Sequence, residues 1–323
     1  MSIDHLLRTE QSHLPQQLTR RDLLRNWLGL GMAAVLPHQL QVEQPPARFA
    51  VIGDFGLAGS AAAAVAELVH DREPDFVVTT GDNNYPSGEA ATIDRNVGSY
   101  YHRYIAPYKG IHGRGADSNR FFPVLGNHDW DSGSAKPYSD YFTLPGNGRY
   151  YSFGWGPLRF FMLDSALSEP DGYRYATRQG DWFRSVSRRY DEPWRIAVFH
   201  HSPYSSGHHG SSTWMRWPFA MLGIDIVLSG HDHNYERLHL DGITYLVNGL
   251  GGGSRYRAGS QQSEGSHTFF NQDWGALFVE ATSRRLHFEF VTISGQTVDN
   301  FSLITAVRRE NGAPFTPEKP PYS

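Results

Sequence analysis

Several short apolar runs in this sequence end in residues able to bind a cation. Residues 49–52 lead into Gly53-Asp54-Phe55-Gly56, and residues 76–80 into Gly81-Asp82-Asn83-Asn84-Tyr85. Residues 122–125 lead into Gly126-Asn127-His128-Asp129, residues 196–199 into His200-His201, and residues 224–228 towards Gly230-His231-Asp232-His233. Runs of this length, rich in β-branched and aromatic residues, read as buried strands. In open α/β sheets the carboxyl ends of such strands are where ligands bind. Any single Asp at such a position could be a turn or cap residue. Taken together, the endings read as one metal site centred on Asp82.

The donor types set the chemistry. Asp54, Asp82, Asn127, His201, His231 and His233 offer hard oxygen or borderline nitrogen atoms, which suit Fe, Zn or Mn. A carboxylate can bridge two cations, and Asp82, on the central run, fits that role. Asn127 adds an amide oxygen without adding charge. Tyr85, three residues after Asp82, can reach the same cation as a phenolate. An ordinary phenol ionises near pH 10, so only a strongly acidic ion such as Fe(III) holds it ionised at neutral pH. The expected cofactors are thus Fe(III) with Fe(II), Zn(II) or Mn(II). One trivalent and one divalent ion bring about +5; two carboxylates, a phenolate and a hydroxide remove about four. The remainder attracts a phosphate monoester, and two cations about 3.5–4 Å apart activate water and clamp an in-line displacement.

Composition agrees with a globular enzyme. The chain has 323 residues, 39% hydrophobic and 19% charged, with a formal net charge of -4. That balance argues against a nucleic acid as a stable partner held by a broad basic field, and leaves a small phosphorylated substrate open. The absence of cysteine excludes a disulfide scaffold, a zinc-thiolate site and a thiol nucleophile. Residues 1–46 read as an export signal and linker: Thr19-Arg20-Arg21-Asp22-Leu23-Leu24-Arg25, an apolar stretch over 27–36, then Gln and Pro. The stretch is too short for a membrane span, which needs about 20 residues. The pattern resembles a twin-arginine signal, implying a periplasmic or secreted protein.

Between residues 47 and 305 strand and helix signals alternate, as in an α/β domain. Helices are expected over 60–71, 89–105 and 178–190, the last with Trp182, Phe183 and Val186 on one face. A hairpin is expected over 150–163, and a loop over 108–119. Strands at 243–247, 276–279, 286–291 and 298–304 look like a second sheet. Residues 250–262 read as a mobile loop; Gly251-Gly252-Gly253 could cradle a phosphate, but no helix follows to support it. Residues 306–323 read as a disordered tail. With 14% aromatic residues, core packing is the expected place of Trp130, Tyr204, Trp214 and Trp217, although they flank the motifs.

Gly-Asp-x-Gly, Gly-Asp-x-x-Tyr, Gly-Asn-His-Asp, Val-x-x-His and Gly-His-x-His, in this order, resemble the motif set of the calcineurin-like metallophosphoesterases, and within them the purple acid phosphatases. Any one motif is weak and the ordered set is specific; it runs from residue 47 to about 304. The resemblance implies two mixed β-sheets packed face to face between outer helices, a four-layer sandwich. It gives Asp54, Asp82, Tyr85 and His233 to a ferric ion, and Asp82, Asn127, His201 and His231 to a divalent one. The Val-x-x-His pattern from Val198 selects His201 and leaves His200 as a neighbour that is packed or supports the ligands from behind. His128 is expected to face the phosphate or leaving group with Asp129 holding its ring, and His208 and His209 to lie on the substrate side. Phosphodiesterase-like relatives carry Asp-x-His in the first motif, where this chain has Gly56. The implied activity is acid phosphatase, hydrolysing monoesters by attack of a metal-bound hydroxide. The alternatives are a phosphodiesterase of the same superfamily and a non-catalytic phosphate- or metal-binding protein.

Overall fold

The computed structural model describes residues 45–305; the export-signal pattern before residue 45 and the tail from 306 lie outside the described residues. Strand-forming runs become β1 (Ala47–Ile52), β2 (Phe76–Thr79) and β3 (Phe121–Phe122), then β4 (Tyr151–Trp155), β5 (Leu158–Met162), β6 (Trp194–His201) and β7 (Ile226–Gly230). The later chain adds β8 (Tyr235–Leu240), β9 (Ile243–Asn248), β10 (Ser266–Phe270), β11 (Gly275–Ala281), β12 (Arg285–Thr292) and β13 (Thr297–Ile304).

These strands form two mixed sheets. One has the order β13-β12-β11-β1-β2-β3, and the other β10-β8-β9-β7-β6-β5-β4. Alternation along the strands explains the layering. In β1, Phe49 and Val51 join Phe160, Ile196 and Leu228 of the other sheet in one apolar cluster, so the sheets pack face to face. The alternate residues Ala50 and Ile52 point the other way, onto Val65, Ala66 and Val69 of the helix Ser60–Asp71. Their spacing by three and four places them on one stripe of that helix. On the outer face of the second sheet, Ala197, Phe199 and Val227 meet Phe183 and Val186 of the helix Arg178–Ser187. Both faces of the central strands are therefore covered. This is why β2, β6 and β7 are buried along their whole length.

Two expectations are corrected. The strands near 276–304 do not build a second sheet with β9. β11 pairs antiparallel to β1, Ala47 opposite Ala281, so β11–β13 extend the first sheet, while β9 lies between β7 and β8 in the other. The helix expected over 89–105 is broken into a turn of α-helix (Ala90–Ile93), a π-type turn (Asp94–Gly98), and short α and 3-10 turns to Tyr104. The break has a polar cause. Asn96 within the π turn gives its amide to Asn84 Oδ1 and to the Tyr85 carbonyl, both at 2.8 Å. Such bulges are frequent beside functional sites.

Candidate metal centre

Every donor named from the sequence sits where a parallel strand ends. β1 and β2 run parallel, as do β5, β6, β7 and β9. Asp54, Asp82 and His231 follow β1, β2 and β7 in left-handed backbone, with φ of 55°, 53° and 70°. Such conformations cost on the order of 1–3 kcal/mol each for a residue with a side chain, and they cluster at functional sites. Neighbouring bonds hold them. The Asp54 amide donates to the Gly81 carbonyl at 3.0 Å and the Gly56 amide to the Asp82 carbonyl at 3.2 Å.

The two buried carboxylates are oriented by the same device. Asp54 Oδ2 accepts the His231 amide at 3.1 Å, and Asp82 Oδ1 accepts the His128 amide at 3.0 Å. One oxygen of each is thereby fixed and the other is aimed inward. Asp54 Oδ1 lies 3.4 Å from Tyr85 Oη and 3.3 Å from His233 Nε2. Asp82 Oδ2 lies 2.9 Å from Tyr85 Oη, 3.5 Å from His200 Nε2 and 3.9 Å from His128 Nε2. Asp82 is thus the carboxylate between two groups of donors. Tyr85 Oη is also 3.2 Å from His233 Nε2. Burial, then the charges of Asp82 and Asp54, push the Tyr85 phenol well above its ordinary value.

The imidazoles are set by their outward nitrogens. His233 Nδ1 is tied to the Ser254 carbonyl, and His200 Nδ1 donates to the Thr80 carbonyl at 2.8 Å. Each bond fixes the tautomer and turns the Nε2 lone pair into the cluster. Burial pulls both rings down, but the carboxylates override it, Asp82 first for His200 and Asp54 first for His233, leaving both above the usual imidazole value. Burial, and then the neighbouring imidazoles His200, His201, His209 and His233, holds His231 neutral. Two buried carboxylates and a phenol facing lone pairs, held by backbone amides, form a set that fits cations: a metal ion takes the place of the protons the acids would otherwise draw in. Asp54, Asp82 and His200 bring one ligand atom each within 4.8 Å of one another, as do His200, His201 and His231.

His200 is therefore the residue that sequence reasoning passed over. Its Nε2 lies 3.1 Å from Asn127 Oδ1 and 3.2 Å from His231 Nδ1, in the middle of the donors, while His201 Nδ1 pairs with the Ser165 hydroxyl at 2.9 Å. On a regular strand adjacent side chains face opposite ways. The pairing of β6 with β7 shifts register between Val198 and His201, a bulge of the kind that re-aims side chains. Both imidazoles consequently turn to the same cleft.

The expected pairing of His128 with Asp129 does not form. Residues Asn127–Trp130 make a helical turn, so neighbouring side chains point about 100° apart, and the residue on the face of His128 is Asp131, three on. His128 Nδ1 is 2.6 Å from the Pro86 carbonyl and 3.3 Å from Asp131 Oδ2. Asp129 instead accepts from the Gly126 amide and from the Asn83 amide and side chain. Burial and the charge of Asp82 push it up to about 7 against those donors. It braces the loops rather than the ring.

Of the two loop histidines, His209 stacks on His231 at 4.3 Å, and His208 is one step further out, 5.3 Å from His209. Asp232, fully buried within Gly-His-Asp-His, anchors this loop by accepting from the Ser205 hydroxyl at 2.6 Å and the His209 and Gly210 amides at 2.7 and 3.1 Å. An acid enclosed by the motif's two histidines was the available signal for it. Trp217 is core, whereas Trp214 stands 5.6 Å from the His201 ring. The glycine triplet does not cradle an anion: Gly251 and Gly253 donate their amides to the Gly53 and Asp54 carbonyls at 2.9 and 2.8 Å. A Cβ at Gly253 would meet the Asp54 carbonyl oxygen at 2.7 Å, so this stretch is glycine because it lies against the Asp54 loop. At Gly56 a Cβ would come within 2.1–2.3 Å of the Asn83 and Asn84 backbone, which leaves no room for a ligand side chain there.

Comparison with known proteins places the chain in a family. Purple acid phosphatase 17 of Arabidopsis thaliana is 27% identical over 242 residues, covering 63% of this chain and 68% of that protein. Purple acid phosphatase 15 of the same plant is 29% identical over 245 residues, 64% of this chain but 45% of that longer protein. Among solved structures, the purple acid phosphatase PPD1 from yellow lupin (Lupinus luteus) seeds superposes with a TM-score of 0.64 at 20% identity, covering 81% of this chain and 54% of that one. GAP50, the anchor in the inner membrane complex of Plasmodium, gives 0.63 at 18% identity, covering 81% and 89%. Both likenesses show the shared fold. The sequence profile of the calcineurin-like phosphoesterase family matches residues 47–235, more than half of the chain. The chain belongs to the calcineurin-like phosphoesterase family, and with it to the metal-dependent phosphoester hydrolases.

Proposed function

We propose that this protein is a dinuclear acid phosphatase that hydrolyses phosphate monoesters. The observation that supports it is Asp82 Oδ2, flanked by Tyr85 on one side and His200 on the other. In this reading Asp54, Asp82, Tyr85 and His233 would hold one ion, Fe(III). Asp82, Asn127, His200 and His231 would hold the other, Fe(II), Zn(II) or Mn(II), with His201 adjoining. The ions would supply positive charge for the phosphoryl oxygens and an acidified water.

The chain's own groups do the rest. Asn127 and His209 border the side where the ester enters. His128, steadied through Nδ1 by the Pro86 carbonyl, turns Nε2 towards the cleft. As water oxygen adds to phosphorus and the ester P–O bond breaks, His128 gives the proton on Nε2 to the departing oxygen, and the proton released by the water restores it. Alcohol and inorganic phosphate are the products. The enclosed Gly56 favours this branch over the phosphodiesterase pattern. The twin-arginine-type pattern near residue 20 supports export to the periplasm or beyond, and among the described residues no helix is long and apolar enough to cross a membrane.

The test is a rate comparison on the iron- and zinc-loaded protein with p-nitrophenyl phosphate and bis(p-nitrophenyl) phosphate. Faster turnover of the monoester, with an optimum below neutrality, is expected. A preference for the diester, or no turnover of either, overturns the reading.

A further inference from the structure

The Gly-His-Asp-His segment supplies two imidazoles, and each has a ring laid on it from a different loop. His209 covers His231. Tyr256 lies flat on His233, with centroids 4.1 Å apart and planes 16° from parallel. Nothing in the motifs points to Tyr256, which belongs to the loop that reads from sequence as mobile.

That loop is tied down residue by residue. The Gly253 amide donates to the Asp54 carbonyl at 2.8 Å, and the Ser254 carbonyl meets His233 Nδ1. The Arg255 side chain reaches the Gln272 carbonyl and lies over the Trp274 ring. The Tyr256 carbonyl accepts from Asn271 Nδ2 at 2.8 Å, and the Gly259 amide donates to Ser206 in the histidine loop at 2.8 Å. A ring held through four successive residues is a fixed wall. It is half-buried, and its neighbours on the cleft side are the exposed rings of His208 and His209, at 5.6 and 5.4 Å. Arg255 on one side of Tyr256 is turned away onto Trp274, so beside His208 and His209 the wall offers the Tyr256 ring itself to a leaving group.

We propose that Tyr256 sets the leaving-group preference: its ring is the surface on which the aromatic part of an aryl phosphate monoester rests. The favoured substrate class is then aryl rather than alkyl phosphates. This rests on the phosphatase reading above. A ring contact of this kind shifts an equilibrium by roughly three- to tenfold.

The experiment compares kcat/KM for phenyl phosphate and glycerol 2-phosphate in the metal-loaded wild type, Tyr256→Ala and Tyr256→Phe, with metal content measured on each. Dividing variant by wild type for each ester cancels the intrinsic difference in leaving-group reactivity. Tyr256→Ala should lower the phenyl phosphate value about three- to tenfold and the glycerol phosphate value less than twofold, with Tyr256→Phe close to wild type. An equal loss on both esters would make Tyr256 a support for His233 and overturn the proposal, as would no loss on either. Calorimetric binding of phenylphosphonate against methylphosphonate makes the same comparison without turnover. An inactive wild type would then count against the phosphatase reading, while loss or retention of aryl preference in Tyr256→Ala still decides the wall.

Discussion

From the six-stranded sheet come Asp54, Asp82, Tyr85 and Asn127, all oxygen donors, while the seven-stranded sheet and its loops supply His200, His201, His231 and His233, all nitrogen. The two sides are positioned differently. The carboxylates are aimed by tight turns, left-handed at Asp54 and Asp82, whose strain is met by backbone bonds between the loops. The imidazoles are aimed from behind, by carbonyls on their outer nitrogens and by a bulge in β6. The difference teaches that charge and geometry are allotted separately: one side fixes anionic oxygen close to phenol, and the other supplies imidazoles. Of these, His201 and His231 are held down by burial, while His200 and His233 are raised by the facing carboxylates. Two ions in this centre would meet unlike surroundings, which suits unlike ions.

Asp82 stands on the boundary, so its removal should have the largest effect. Asp82→Ala is expected to lose both ions and to cut turnover roughly a thousandfold, the upper range for losing one charge-stabilising group. Metal analysis and a steady-state assay on the same sample check it. Retention of one ion per chain would mean that the two sides fill independently.

The nitrogen side is sharpened by separating its adjacent histidines. His200→Ala should weaken the second ion about a hundredfold, and His201→Ala about tenfold, as expected for a group that supports a donor. Calorimetric titration of zinc into the stripped variants distinguishes them. The reverse order would restore the Val-x-x-His register.

The smallest effect is expected behind the oxygen side, in the π turn whose Asn96 holds the Tyr85 carbonyl. Asp94 opens that turn and accepts the hydroxyls of Tyr108 and Tyr141 at 2.6 and 2.7 Å. Burial raises its pKa, but those hydroxyls and the Ile111 amide outweigh it, so the carboxyl titrates below the reference value of 3.8. Its contribution is therefore present above the unfolded-state value and lost as pH falls through the folded one. Asp94→Asn should cost about 1 kcal/mol at pH 7, with the gap to wild type closing towards pH 2 in urea unfolding. A gap independent of pH would show that the charge plays no part.

Much of the oxygen side was legible because its information is local. A strand run followed by Gly-Asp states both the residue and the turn that presents it, and this holds for Asp54 and Asp82. The face-to-face sheets were legible through the family resemblance, whereas the pairing of β11 with β1 was not, since strand periodicity says nothing about which partner a strand takes. The nitrogen side was half legible. Spacing located the tandem at His200-His201, but a register shift decides which ring leads, and no single-residue property signals a bulge there. Tyr256 and the Ser254 carbonyl reach the site from more than 20 residues beyond His233 through the fold alone. The pairing of His128 with Asp129 was carried over from the family resemblance, and it fails because the helical turn over Asn127–Trp130 turns the two side chains about 100° apart.

The packing around Gly56 has an evolutionary consequence. Because the main chain of Asn83 and Asn84 fills the space a side chain would need, placing histidine at this one position cannot convert the centre to the Asp-x-His pattern of the phosphodiesterase-like relatives. The segment bearing Tyr85 would have to be rebuilt in the same step. In this chain a point mutation alone therefore does not make that change; it needs a remodelled loop.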